Sequence, residues 1–416
     1  MDARLIVLFL ILSRWAGQLV LGWLNRCSVQ AHAGGIPEAF RETLDGETYR
    51  KSVAYTLEKN RLALWQDSWD TLILLLFLFS GLLPWLHGTH RAVLGSSLPA
   101  QTLFLLEVGL LFALADIPWG WYSQFNLEER FGFNTTTKKL WWTDLGKEFL
   151  LSMGIGFPLL LALLALVRWS GPTWWLWAWA GTFLVQVILM VVVPVWILPW
   201  FFKFTPLPEG ALRERLLRLA ERAGFRHAGL QVMDGSRRSR HSNAFFTGLG
   251  RFRKIILFDT LLQQLSEEEA EAVLAHEIGH DRMGHIRRML VLSLVGSLLA
   301  FRLLDWISSQ KWLYSSFGFS EPDMAIALLL FALLANTVSF WWSPVSNWLS
   351  RRFEYQADAF AAGCIADSNA MIRALRILNR ENLSNLTPHP AYSFFYYSHP
   401  TLLERERALE KRSGQP

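Results

Sequence analysis

The chain has 416 residues, of which 52% are hydrophobic and only 18% charged, with a mean hydropathy of +0.23. A soluble domain is about 25% charged. This excludes a disordered or collagen-like chain and argues against an ordinary soluble enzyme. The apolar residues instead fall in long runs, the pattern of a polytopic membrane protein with one water-facing domain. The net charge of +5 comes without a basic patch interleaved with aromatics, so nucleic acid is excluded as a partner and a charge bias across a lipid bilayer is the expected reason. Two cysteines, Cys27 and Cys364, do not make a disulfide framework.

Seven runs approach the roughly 20 residues needed to cross a bilayer: 5–24, 69–86, 103–122, 149–169, 174–198, 289–304 and 324–343. Many of the 21 tryptophans sit at the ends of these runs, as interfacial belts require. Arg14, Gln18, Glu107, Asp116, Gln186 and Asn336 lie inside them. Such groups face protein or trapped water, which predicts either interhelical hydrogen bonds or a hydrated interior. The first run is followed by Ala31-His32-Ala33, a small-x-small pattern. Arg14 interrupts the run and Ala33 lies far past its end, so a retained helix is expected rather than a signal peptide.

Lys and Arg number six in 25–68, one in 87–100, four in 123–147, one after the fourth span, fifteen in 199–288 and nine in 351–416. The alternation predicts the N-terminus outside, with 25–68, 199–288 and the tail on the cytoplasmic side.

The segment 199–288 reads as a compact insertion. A helix is expected over 209–223, closed by Gly224, then short strands over 229–234, 243–248 and 254–258. Ser266 with Glu269 forms a capping box for a helix running through His280. The expected organisation is five spans in 1–198, a soluble protease core in 199–288, two spans in 289–343 and a completing segment in 344–416.

That last helix carries His276-Glu277-Ile278-Gly279-His280. The i, i+4 spacing puts His276 and His280 on one helical face, where two imidazoles can bind one Zn²⁺. Glu277 projects beside them as a general base for an activated water. A catalytic zinc needs a third protein ligand, and Glu354 is the candidate, with Asp358 one turn on to orient a ligand histidine. Two spans separate His280 from Glu354, so both return to the same side. His285 lies off the shared face and reads as structural, and Cys364 as packing. Ser242–Phe245 looks like an edge strand able to pair with an extended peptide. His399 or Arg405 could support an oxyanion.

These residues resemble the integral-membrane CAAX prenyl proteases of type I, which are zinc metalloproteases. The likeness runs nearly end to end, through Glu128-Glu-Arg-Phe-Gly-Phe-Asn134, Asp234-Gly-Ser-Arg-Arg-Ser-Arg-His-Ser-Asn-Ala-Phe245, Leu257-Phe-Asp-Thr-Leu261, His276–His280, Arg352–Phe360 and Ser398-His-Pro-Thr-Leu-Leu403. It implies an all-α multi-pass fold in which seven transmembrane helices enclose a chamber, with a mixed α+β zinc metalloprotease domain. It also implies one Zn²⁺ per chain on His276, His280 and Glu354, with Glu277 as base and Asn243, His399 and Arg405 around the substrate. The expected substrate is a peptide or prenylated peptide, and the expected state a monomer. The site is the bacterial inner membrane or the endoplasmic reticulum membrane, according to source. Two rival readings are a membrane quality-control protease of the same chemistry and a transporter or lipid-handling protein with a vestigial zinc site.

Overall fold

The fold is described from a computed structural model covering residues 3–41, 44–225, 229–248, 254–367 and 369–413. In chain order the main elements begin with helices α1 (Ala3–His32), α2 (Gly46–Phe79), α3 (Leu82–Leu94), α4 (Leu98–Phe131), α5 (Lys138–Trp169) and α6 (Gly171–Phe201). The insertion follows as β1 (Phe204–Pro206), α7 (Ala211–Arg222), β2 (Leu230–Met233), β3 (Ala244–Thr247), β4 (Lys254–Phe258), α8 (Asp259–Gln264) and α9 (Glu267–Arg282). The chain closes with α10 (His285–Ser308), α11 (Lys311–Ser315), α12 (Met324–Cys364), α13 (Asn369–Glu381), α14 (Pro390–Tyr396) and α15 (Leu402–Ser413).

Seven helices among the described residues are long and apolar enough to span a membrane: α1, α2, α4, α5, α6, α10 and α12. Their contacts run α1 to α2, α2 to α4, then α5, α6, α10, α12 and back to α1, a closed ring. Only 6% of the apolar window of α5, α6 or α10 is buried. A packed bundle would bury a full face of each helix, so these three are open on both flanks, to lipid outside and to a chamber within. One end of the ring is closed by a hydrophobic cluster that includes Leu78, Leu83, Phe104, Tyr314, Phe317 and Ile326.

The helices run beyond the expected span boundaries, and the second and seventh depart the most. The second ends at Phe79, because Gly81 turns the chain at φ 83° and Leu82 opens a separate helix. It also begins much earlier, at Gly46, where the Asp45 carboxylate accepts the Glu47 and Thr48 N–H groups, as an N-cap does. At 34 residues α2 spans about 51 Å, well beyond the ~30 Å of hydrocarbon. The seventh span does not stop at Ser343. It continues as one helix to Cys364, so a membrane helix itself delivers Glu354 to the soluble domain.

Several polar groups in the spans bond between helices. Gln18 Nε2 donates to Asp67 Oδ1 at 2.6 Å, Gln186 Nε2 to Ser293 Oγ at 3.0 Å, and Glu107 meets His90 at 2.8 Å.

The insertion packs a four-stranded sheet of order β1-β2-β4-β3 against α7, α8, α9, α12 and α13. β2 and β4 are parallel, while β1 and β3 pair antiparallel, with Ala244 opposite Leu257. β3 is therefore an edge strand, as its sequence suggests. β1 adds a strand to the three expected from the sequence. Cys27 and Cys364 are both free.

Candidate metal centre

α9 starts where the capping box places it. Ser266 Oγ accepts the Glu269 N–H and the Glu269 carboxylate accepts the Ser266 N–H. The helix is largely buried from Glu269 to Gly279 and ends at Arg282, after which Gly284, in left-handed backbone (φ 71°), turns the chain into α10. α9 packs on α12 at Gly279. A Cβ there would lie 3.0 Å from the Ala357 Cα and 3.1 Å from its carbonyl oxygen. Glycine thus permits the close helix approach that brings the two motifs face to face.

Across that contact His276, His280 and Glu354 converge, each offering a donor atom within 4.8 Å of the others. His276 Nε2 and His280 Nε2 are 3.1 Å apart. Glu354 Oε2 lies 3.3 Å from the first, and Oε1 3.2 Å from the second. A tetrahedral ion with bonds of about 2.0–2.1 Å has ligand separations of about 3.3 Å, so the spacing fits zinc. The chemistry of the donors fits as well. Glu354 Oε2 is buried without a hydrogen bond, and such an orphaned carboxylate oxygen is costly unless a cation meets it.

Behind the cluster His276 Nδ1 donates to Asp358 Oδ1 at 2.8 Å, which leaves Nε2 turned to the centre. Asp358 is in turn clamped by Arg405, through Nε at 2.8 Å and Nη2 at 2.5 Å. Arg405 is therefore committed to Asp358, and only its Nη1 approaches Glu354, at 3.9 Å. Burial would depress His276, but its hydrogen bond to Asp358 and the Glu354 carboxylate 3.3 Å away outweigh this and raise it to about 9. Burial raises Glu277, against the pull of the two imidazoles, a shift that suits a general base.

His399 stands beside the carboxylate, its Nε2 3.4 Å from Glu354 Oε1. Its side chain is 63% exposed, but to the cavity that it lines. That enclosure lowers its affinity for a proton despite Glu354. Ser398 Oγ sits 3.0 Å from its Nδ1. Asn243 precedes the edge strand β3; it is exposed, and its Oδ1 accepts its own neighbour's N–H, that of Ala244, at 2.9 Å.

His285 has a larger place than its sequence reading gave it. Its Nδ1 faces His280 Nδ1 at 3.1 Å and its Nε2 faces Gln356 Oε1 at 2.9 Å. It orients His280 as Asp358 orients His276. The available signal was Gln356, which lies between Glu354 and Asp358 in the sequence. A second network lies farther off. Glu128 accepts from Tyr55 Oη at 2.7 Å and lies 3.1 Å from His241 Nε2, while His241 Nδ1 faces Asn382 Oδ1 at 3.0 Å. It ties the end of α4 to the segment leading into β3.

Comparison with known proteins agrees with this geometry. Residues 25–203 match the family model described as CAAX prenyl protease N-terminal, five membrane helices, and residues 206–413 match peptidase family M48. CAAX prenyl protease 1 of Saccharomyces cerevisiae is 38% identical over 402 residues, covering 90% of this chain and 88% of the relative. The Homo sapiens homolog is 32% identical with the same coverage. The crystal structure of S. mikatae Ste24p superposes with a TM-score of 0.93 at 33% identity, over 99% of each chain. A closed ring of seven spans that delivers a His-His-Glu centre, with relatives alike over nearly their whole length, makes this chain a multi-pass membrane metallopeptidase of family M48, belonging to the CAAX prenyl protease family.

Proposed function

We propose that this metallopeptidase uses zinc to cut peptides carrying a prenylated cysteine near the carboxyl terminus, the substrate class in the name of its relatives, CAAX prenyl protease 1. The observation that carries the reading is the convergence of His276, His280 and Glu354 at ligand spacing around an unsatisfied buried carboxylate oxygen. These three would hold one zinc ion. When bound, zinc supplies Lewis acidity that polarises the scissile carbonyl and acidifies the attacking water.

The chain's own residues do the rest. Glu277 takes the proton of the attacking water and returns it to the leaving amine. Asp358 and His285 fix the two imidazole rings, and Arg405 keeps Asp358 in place. Because two Arg405 donors are occupied by Asp358, support of the oxyanion falls to His399. The Ser398 hydroxyl can donate to His399 Nδ1, leaving Nε2–H to do so. The free edge of β3, with Asn243 just before it, pairs with the extended substrate backbone.

The fifteen Lys and Arg of 199–288, against one in each of the short loops at 87–100 and after the fourth span, favour a cytoplasmic catalytic domain. The helix ring closes within a single chain, which favours a monomer.

The test is metal analysis of the purified protein with cleavage of a farnesylated peptide and its unmodified twin. Expected are one zinc per chain, activity removed by chelator and restored by zinc, and preference for the farnesylated peptide. Cleavage that survives complete metal removal refutes the chemistry. Equal turnover of the two peptides refutes the substrate class.

A further inference from the structure

Two cavities border the metal centre on different residues. One is lined by His280 and His285 and walled by apolar Met190, Phe246, Leu290 and Phe353. The other, of about 720 Å³, is lined by His399 and Arg405 and reaches Tyr55, Lys59 and Asn382. That volume lies within the ~300–1,000 Å³ of small-ligand clefts. A peptide cut close to its carboxyl terminus carries a short leaving segment that ends in a free carboxylate. Enclosing that charge is unfavourable unless a cation or several donors meet it.

Two of the described Lys and Arg residues line the second cavity. Arg405 is engaged with Asp358. Lys59 holds its ammonium 5.0 Å over the Tyr55 ring and makes no ion pair among the described residues. The Glu128 carboxylate, whose charge Lys59 feels, is already taken by Tyr55 and His241. The ammonium thus faces the cavity uncommitted, on the long part of α2 that lies outside the spanning stretch expected from the sequence.

We propose that this cavity receives the carboxyl-terminal leaving segment of the substrate and that Lys59 binds its free α-carboxylate. This rests on the reading above that the substrate is cleaved near its carboxyl terminus. Lys59 then measures the distance from the scissile bond to the chain end, so a peptide without a nearby terminus lacks the contact.

The test compares a tripeptide, Val-Val-Ala, as free acid and as carboxyl-terminal amide. Binding to the zinc-loaded full-length protein is measured by calorimetry, for wild type, Lys59→Met and Lys59→Arg. Wild type is expected to prefer the acid roughly tenfold or more, as a charged hydrogen bond gives. Lys59→Met loses the preference and Lys59→Arg keeps most of it. Equal wild-type affinity for acid and amide overturns the proposal. So does an acid preference retained in Lys59→Met, which would assign the carboxylate to the metal. Binding is read without turnover, so failure of the farnesylated peptide to be cut bears on the substrate class alone.

Discussion

Gly279→Ala isolates the contact that builds the metal centre. The new Cβ would sit 3.0 Å from the Ala357 Cα, 3.1 Å from the Ala357 oxygen and 3.3 Å from the Phe360 Cβ. Ordinary carbon contacts are about 3.5–4.0 Å, so α9 and α12 must part by about 0.5–1 Å. Two of the three atoms are backbone, and neither can swing aside. Overpacking of this kind costs about 1–3 kcal/mol, and alanine in place of a helical glycine returns about 1 kcal/mol. The stability change is therefore modest. The site is less forgiving, because metal–ligand distances tolerate about ±0.2 Å. Glu354 and Asp358 both ride on the displaced helix. Zinc affinity, measured by chelator competition, should fall roughly 10–100-fold, with peptide cleavage falling alongside and the melting temperature little changed. Gly296→Ala on α10, where a Cβ meets nothing within 4 Å, should leave both intact. Wild-type zinc affinity in Gly279→Ala would show that this contact does not set the distance between the His pair and Glu354.

Other outcomes follow from the same geometry. Glu277→Gln should retain zinc by metal analysis while cleavage drops by about 10²–10⁴; undiminished turnover removes Glu277 from the mechanism. Asp358→Asn leaves buried Arg405 facing a neutral partner and loosens His276, so zinc affinity should fall about 10–100-fold even though no proposed ligand is changed. An unaltered affinity would detach Asp358 from the centre. In the metal-free protein His276 is raised to about 9, so below that pH it carries a proton that zinc must displace. Affinity should rise with pH until about 9, and calorimetry at pH 7 in buffers of different ionisation enthalpy should show proton release. Release of no proton there would contradict the ring's environment.

The chemistry lay open in the sequence because it is local. The i, i+4 histidines share a face wherever a helix forms, and the Ser266–Glu269 capping box announces that helix. Apolar runs announce the seven spans by their length. What lay beyond reach was where helices end relative to the membrane. The second and seventh spans read as about 20 residues, yet α2 and α12 run for 34 and 41, since nothing in an amphipathic extension distinguishes a helix that continues from one that stops. His285 reads as structural in the sequence for a similar reason. Its distance from His280 depends on the left-handed turn at Gly284, which helical periodicity cannot supply.

Composition and spacing alone thus determined that this is a membrane protein with a two-histidine metal motif, because both follow from the one-dimensional pattern of side chains. Tertiary structure alone decided how closely Glu354 meets that motif, that Arg405 anchors Asp358, and that Lys59 faces the cavity beside His399. Those pairs are 47 to 340 residues apart in the chain, and only the packing of separate helices, set by contacts such as Gly279 against Ala357, fixes distances of that kind.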